Sequence, residues 1–297
     1  MSKKMILGID FNNMIFTSYY GEKLINSKGI NVNAIKGFFT RLRNLKDMFN
    51  PDYIIFANDL SREKTFRRKI YPDYKAQRSE TDADVVMQMK YASHIAALMG
   101  YPFINNESYE ADDILGMISR FATDHDMEMV IASSDRDLYQ LINNNVFIMS
   151  PRINELINPL YLMDNYQLTP EQWVELKMLQ GDPSDNIPGI HGIGKTRALD
   201  LMHAYGSIEN IYNHLSELKP AMQTALINDK DSLDLMRTLV TIVTDYKILN
   251  LTEESFKLTQ RYENEIFEVL HDLELFSLYN IMNNLFIEKG VSNYETA

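Results

Sequence analysis

The run Ser108-Tyr109-Glu110-Ala111-Asp112-Asp113-Ile114-Leu115 puts three carboxylates into four positions, where a polar loop gives way to an apolar helix. Glu110 and Asp113 are three apart and share a helical face, with Asp112 about 100° round from Asp113. Acids in a first turn also complement the positive end of a helix dipole, which needs no chemistry. The wider pattern favours chemistry, because Asp10, Asp59, Asp135 and Asp137 also follow apolar runs of buried-strand length. Taken singly, Asp10 reads as a helix cap, Asp59 as a turn residue and Asp135 as the cap of the next helix. Seven carboxylates gathered at one edge, however, would repel strongly and keep some protonated. The counter-charge that suits them is a hard divalent cation. All-oxygen ligands favour Mg²⁺, Mn²⁺ or Ca²⁺ over zinc, and Mg²⁺ takes few carboxylates directly. Two ions about 3.5 to 4 Å apart would use this many acids, in an arrangement that serves in-line attack at phosphorus.

Such acids converge only on a scaffold that brings strand ends to one rim. Residues 5–9 read as a buried strand closed by Asp10. The segment Asn33–Phe49 carries Ile35, Phe38, Phe39, Leu42, Leu45, Met48 and Phe49 at helical spacing, and Pro51 stops it before a second strand, Tyr53–Ala57. A third apolar segment spans residues 101–104 and precedes a helix over about 110–123. A fourth strand, residues 127–132, runs into Ser133-Ser134-Asp135-Arg136-Asp137. Strands alternating with amphipathic helices predict an α/β fold, with a mostly parallel central sheet and helices on both faces. Ligands of such sheets gather outside the carboxyl ends of the strands, where these acids fall.

From about residue 165 the pattern is helical. Thr169-Pro170-Glu171 starts a helix whose stripe of Trp173, Leu176 and Leu179 ends at Gly181. Residues 189–196 then match the phosphate-loop pattern G-x-x-x-x-G-K-[ST], which read alone indicates a nucleoside triphosphatase. Context opposes that reading, since a phosphate loop follows a buried strand and this run follows a helix and contains Pro183 and Pro188. A hairpin between two helices fits better. Its glycines let backbone N–H groups approach a phosphate, and Lys195 opens a helix with its positive end towards the anion. That element grips a nucleic-acid backbone without reading bases. Further helices follow to about residue 286; the acidic, amphipathic stretch 263–286 is expected to pack on the body as a lid, and residues 291–297 to fray.

Composition bounds the class. The chain has 297 residues, 45% of them apolar, enough for a sizeable core. Its apolar runs are far too short for a membrane span, and a cytoplasmic location is expected. Without cysteine there are no disulfides and no thiolate metal sites. A net charge of −12 opposes nucleic acid in bulk, but Arg62, Lys64, Arg67, Arg68, Lys69, Lys75 and Arg78 form a basic run facing only Glu63 and Asp73.

Tyr109-Glu110-Ala111-Asp112-Asp113, Ser134-Asp135-Arg136-Asp137-Leu138-Tyr139-Gln140-Leu141 and the run from Gly181-Asp182-Pro183-Ser184-Asp185 to Gly194-Lys195 resemble, in order and spacing, the 5′ nuclease or flap endonuclease family. The resemblance covers about residues 5–249. It implies a PIN-like nuclease core over 1–164 with a helical arch at about 61–99, a helix-hairpin-helix subdomain over 165–250, and a helical tail over 251–297. It further implies two Mg²⁺ ions, for which Mn²⁺ can substitute. Asp10, Asp59, Glu110, Asp112 and Asp113 match the first metal cluster, and Asp135, Asp137, Asp182 and Asp185 the second. Lys75 and Arg78 match residues at the scissile phosphate. Tyr74 matches one that stacks on a base, and Arg67 lies in the basic run that precedes it. Gly192, Gly194 and Lys195 belong to the hairpin that holds duplex DNA, with a monovalent cation, K⁺. The implied partners are DNA with 5′ flaps, nicks or free 5′ ends, RNA–DNA hybrids, and a replication protein; the implied state is a monomer. Phe11 and Thr17 depart from a common Asp-Gly and a later Arg, and Asn58-Asp59 from the commoner Phe-Asp, which bears on the register of Asp59. The alternative classes are a non-catalytic DNA-holding module, the phosphate-loop triphosphatase, and a Mg²⁺-dependent phosphatase or single-strand ribonuclease.

Overall fold

The structure is a computed structural model and describes residues 3–60 and 63–287. Arg62 of the basic run and the segment 291–297 lie outside the described residues. In chain order the elements are β1 (Met5–Asp10), α1 (Phe11–Tyr19), α2 (Asn33–Phe49), β2 (Tyr53–Ala57), α3 (Phe66–Ile70), α4 (Ala83–Leu98), β3 (Phe103–Ile104), α5 (Ala111–Asp124), β4 (Glu128–Ala132), β5 (Val146–Ser150) and β6 (Glu155–Ile157). There follow α6 (Pro159–Tyr166), α7 (Pro170–Gln180), α8 (Lys195–Tyr205), α9 (Ile208–Asn213), α10 (Pro220–Asn228), α11 (Leu233–Val240), α12 (Glu263–Asp272) and α13 (Tyr279–Phe286).

The sheet order is β3-β2-β1-β4-β5-β6, parallel throughout except for β6, which runs antiparallel to β5. Central β1 is buried on both faces, which is why residues 5–9 are apolar without alternation. Ile6 and Ile55 pack with α5 and the helices of the C-terminal half, whereas Leu7, Ile9, Ile54 and Phe56 pack with α1, α2 and α4. β1, β2 and β4 are thereby aligned with their carboxyl ends at one rim.

The helix α5 starts in a capping box between Glu110 and Asp113. The segment after α11 then comes close against it. A Cβ on Gly116 would stand 2.5 Å from Ile242 and 2.7 Å from the Val243 carbonyl, so a glycine is needed for that approach. On the opposite face α12, α13 and the turn before α13 bury Ile266, Leu270, Leu278, Met282 and Leu285 in the same core as α2 and α4, as the amphipathic tail predicts; Phe276 of that stripe is instead 53% exposed.

Four elements have no counterpart in the pattern read from sequence: α1, β5, β6 and α6. A five-residue apolar run such as Val146–Ser150 does not distinguish strand from helix by periodicity, and the edge strand β6 exposes two of its three residues.

Candidate active site

Asp10 ends β1 and caps α1, accepting the Asn13 backbone N–H at 3.0 Å and the Ser133 hydroxyl at 2.8 Å. Asp59, two residues past β2, accepts the Ala111 N–H at 2.7 Å and the Asn12 amide at 3.0 Å. Those bonds settle its register: Asp59 faces the first turn of α5, where Glu110 and Asp112 stand. Asp135 follows β4, and its backbone N–H donates to the Ser133 hydroxyl at 3.1 Å. Asp10, Asp59, Glu110, Asp112, Asp135 and Asp185 line one cleft of about 640 Å³ together with Lys75 and Arg78.

Within it the charges are unevenly balanced. Lys75 donates to Glu110 at 2.6 Å and stands 3.5 Å from Asp185, while Arg78 pairs with Asp185. Burial lowers the Lys75 pKa, but Glu110 and Asp185 outweigh it and hold the ammonium above its ordinary value. Asp10, Asp59, Asp112 and Asp135 have no ion pair among the described residues. Burial pushes the Asp10 carboxyl up to about 7, with Asp59 and Asp135 adding to the shift. The Asp112 carboxyl is pushed well above the usual range by burial and then by Asp135 and Asp10. Asn12 Oδ1 is also buried without a hydrogen-bond partner among the described residues.

Among the described residues no three of these carboxylates already form a closed metal-coordinating set. The donor chemistry nonetheless fits a hard cation. The donors are all oxygen, and buried Asp10 and half-buried Asp112 lack the positive partner that desolvated charge demands.

A second acidic pair stands nearby. Lys177, buried on α7, bridges Asp137 at 2.7 Å and also pairs with Asp182. Burial pushes the Asp137 carboxyl up to about 6, reinforced by Asp135 and opposed by Lys177. Burial also acts upward on Asp182, but Lys177 and Ser184 hold it below the usual carboxylate range.

The structure corrects three residue assignments. Asp113 is fully buried and turned away from the cleft. Its Oδ2 accepts Arg67 at 2.6 Å and the Glu110 N–H at 3.1 Å, and its Oδ1 accepts Arg67 at 2.8 Å and the Val243 N–H at 2.9 Å. All four lone-pair directions are filled, which leaves none for a metal. Arg67 is only 3% exposed and holds the Leu239 and Thr241 carbonyls as well, so it cannot meet DNA at the surface. Tyr74 is 4% exposed and donates its hydroxyl to Glu110 at 2.7 Å, so its ring has no free face for a base.

The hairpin between α7 and α8 spans residues 181–194. A Cβ on Gly189 would stand 2.4 Å from Gln180 C and from Gly181 N, so the two arms touch backbone to backbone. Gly192 and Gly194 are exposed, with Gly194 as the N-cap of α8 and exposed Lys195 as its first residue. The segment 189–196 follows a helix, so the strand that a phosphate loop requires is missing from in front of it.

Sequence reasoning missed Asn12, Asn13, Ser133 and Lys177. The first three are ordinary polar residues whose bonds to Asp10, Asp59 and Ser134 exist only in the fold. Lys177 did leave a signal, as a cation between Leu176 and the apolar pair Met178-Leu179.

An acidic cleft at the carboxyl ends of a parallel sheet, rimmed by basic residues and flanked by a helical hairpin, defines an α/β protein of the PIN-like nuclease class. Comparison with known proteins narrows this. The pattern of the 5′-3′ exonuclease N-terminal resolvase-like domain matches residues 5–174, and that of the 5′-3′ exonuclease C-terminal SAM fold matches residues 168–264. The chain belongs to the 5′-3′ exonuclease family. It is 31% identical over 284 residues to a 5′-3′ exonuclease of Aquifex aeolicus, covering 95% of this chain and 96% of that protein. It is 35% identical over 245 residues to the thermostable DNA polymerase I of Thermus thermophilus, where the match covers 82% of this chain but only 29% of the polymerase. A flap endonuclease of bacteriophage T5, solved as a pseudo-enzyme-product complex with DNA and metal ions, shares the fold with a TM-score of 0.66 at 20% identity, covering 91% of this chain and all of that one.

Proposed function

We propose that the protein is a Mg²⁺-dependent, structure-specific 5′ nuclease, which hydrolyses DNA as a 5′-to-3′ exonuclease and flap endonuclease near single-strand/duplex junctions. The observation that carries this reading is that buried Asp10 and half-buried Asp112 line one cleft with no ion pair of their own among the described residues. Family membership and the DNA- and metal-bound phage relative support it. Asp10, Asp59, Glu110 and Asp112 would hold one Mg²⁺, and Asp135, Asp137, Asp182 and Asp185 a second, with Mn²⁺ able to replace either. Bound there, the ions supply Lewis acidity at phosphoryl oxygens and make water a better nucleophile.

The chain's own residues do the rest. Lys75 and Arg78 exchange their carboxylate partners for oxygens of the scissile phosphate and offset charge that develops there. Asn12, Asn13 and Ser133 fix the Asp10 and Asp59 carboxylates in place. Lys177 keeps Asp137 and Asp182 together. The hairpin at Gly192, Gly194 and Lys195 holds the duplex backbone, with K⁺ as the monovalent ion, while the basic segment within 61–99 receives the free 5′ end. Cytoplasmic action as a monomer during replication or repair, on RNA-primed ends as well as DNA, fits this reading.

Labelled 5′-flap, nicked and RNA-primed duplexes, incubated with and without Mg²⁺, test it directly. Short 5′ products that depend on Mg²⁺ are expected. Intact substrates under every condition, despite duplex binding, would reduce the protein to a DNA-holding module.

A further inference from the structure

Lys75 stands in backbone that belongs to no helix or strand, within the connection between α3 and α4. Its φ of 55° is one that L side chains rarely adopt, so contacts from elsewhere must hold it there. They come from the loop that opens the hairpin, residues 182–187. That loop is closed on itself: the Asp182 and Ile187 backbones exchange N–H···O bonds of 2.9 Å in both directions, and the Ile190 N–H bonds back to the Leu179 carbonyl at 2.9 Å.

Segment 73–78 is laid along this loop. The Lys75 N–H donates to the Asp185 carbonyl at 2.9 Å. Gln77 Nε2 donates to the Pro183 carbonyl at 2.7 Å and Arg78 Nε to the Ser184 carbonyl at 3.2 Å, while Asn186 Nδ2 returns a bond to the Asp73 carbonyl at 2.9 Å. Two of these bonds therefore flank Lys75, one at residue 73 and one at residue 77. Their side chains, Gln77 and Asn186, are exposed and do not line the acidic cleft, so they serve neither the core nor the acids directly.

We infer that Gln77 and Asn186 are positioning residues for Lys75, which clasp segment 73–78 onto the 182–187 loop and keep the ammonium aimed into the cleft. This rests on the nuclease reading above. The Lys75 ammonium is now held by Glu110 at 2.6 Å and by Asp185 at 3.5 Å. Once it leaves them for a phosphate oxygen, those side-chain anchors are lost and its place depends on the backbone beneath it. A displacement of about 1 Å at a reacting centre can cost about 100-fold in rate, so two hydrogen bonds on either side of Lys75 matter more to the reaction than to the fold.

The test is single-turnover cleavage of 5′-flap DNA by the full chain with Mg²⁺, beside equilibrium binding of the same DNA with Ca²⁺ in its place. Gln77→Ala and, separately, Asn186→Gly should each lower the rate about tenfold with flap affinity and melting temperature unchanged. Glycine is chosen at position 186 because Asn186 has a φ of 57°. Gln77→Glu keeps the length of the side chain but cannot donate to a carbonyl, so it should fall as far as the alanine variant. On a Lys75→Ala background neither substitution should slow cleavage further, because the group they position is gone. Wild-type rates in both single variants, or the same tenfold loss with and without Lys75, would overturn the inference. Flap affinity that falls in step with the rate would make the pair DNA contacts and overturn it too. A wild type that leaves flap DNA intact would overturn the nuclease reading, and this inference with it.

Discussion

Arg67 and Asp113, 46 positions apart in the chain, close on each other in a two-pronged ion pair of 2.6 and 2.8 Å beside the acidic cleft. Because Arg67 also holds the Leu239 and Thr241 carbonyls and Asp113 the Val243 N–H, the pair fastens α3 and α5 to the end of α11. Asp113→Asn would leave the buried guanidinium with only Glu110, at 3.4 Å, as its counter-charge, at a cost of about 3 kcal/mol. Urea melts should register that loss, while divalent-ion titration of the folded variant should keep the wild-type midpoint. A midpoint weakened tenfold would return Asp113 to the ligand set.

The neighbouring Asp10 predicts a pH dependence of opposite sign to that of an ion-paired acid. Its pKa is about 7 in the fold against an ordinary 3.8, so the folded state binds the extra proton between those values. Stability of the metal-free protein therefore falls as pH rises from about 4 to about 7. Mg²⁺ should restore it at neutral pH, and Asp10→Asn should flatten the profile. Melting temperatures across that pH range, with and without chelator, decide this; a metal-free protein that gains stability towards neutrality would contradict it.

Lys75 is placed to exchange Glu110 and Asp185 for a phosphate oxygen. Lys75→Ala should lower the cleavage rate on flap DNA about 100-fold or more while sparing DNA binding. Single-turnover kinetics alongside a binding isotherm separate the two. Comparable losses in both would make Lys75 an anchor for DNA instead.

Lys177 counters Asp137 and Asp182 from within α7. Lys177→Met should destabilise the metal-free protein by about 3 kcal/mol, since two half-buried acids lose their partner, and Mg²⁺ should recover much of it. Chemical denaturation with and without Mg²⁺ reads this, and a loss that Mg²⁺ leaves untouched would separate Lys177 from the second metal cluster.

The hairpin yields a contrast between backbone and charge. Lys195→Ala should weaken duplex binding evenly across sequences and reduce its salt dependence by about one phosphate contact. Gly189→Ala should also lower the melting temperature, because its Cβ would meet backbone at 2.4 Å. ATP turnover that disappears in Lys195→Ala would instead revive the phosphate-loop reading.

Much of the architecture was written in local patterns. Apolar runs closed by acids marked β1, β2 and β4, and the seventeen-residue stripe of α2 marked its helix, because burial on a regular element imposes a period on the residues themselves. Strand β5 equals β2 and β4 in length and burial but is followed by Pro151 and Arg152 instead of an acid, and edge strand β6 buries one residue of three, too few for a period to form.

The same division runs through the site. Sequence by itself determined that many carboxylates stand at strand ends, that a basic run and a glycine hairpin accompany them, and to which family such a set belongs, since residue type and spacing are properties of the chain. Only the tertiary structure decided what each one touches. Asp112 and Asp113 are adjacent and chemically identical, yet a rotation of about 100° on α5 points one into the cleft and the other onto Arg67. That outcome depends on α3 and the segment after α11 arriving from distant parts of the chain, and no spacing within residues 108–115 encodes it.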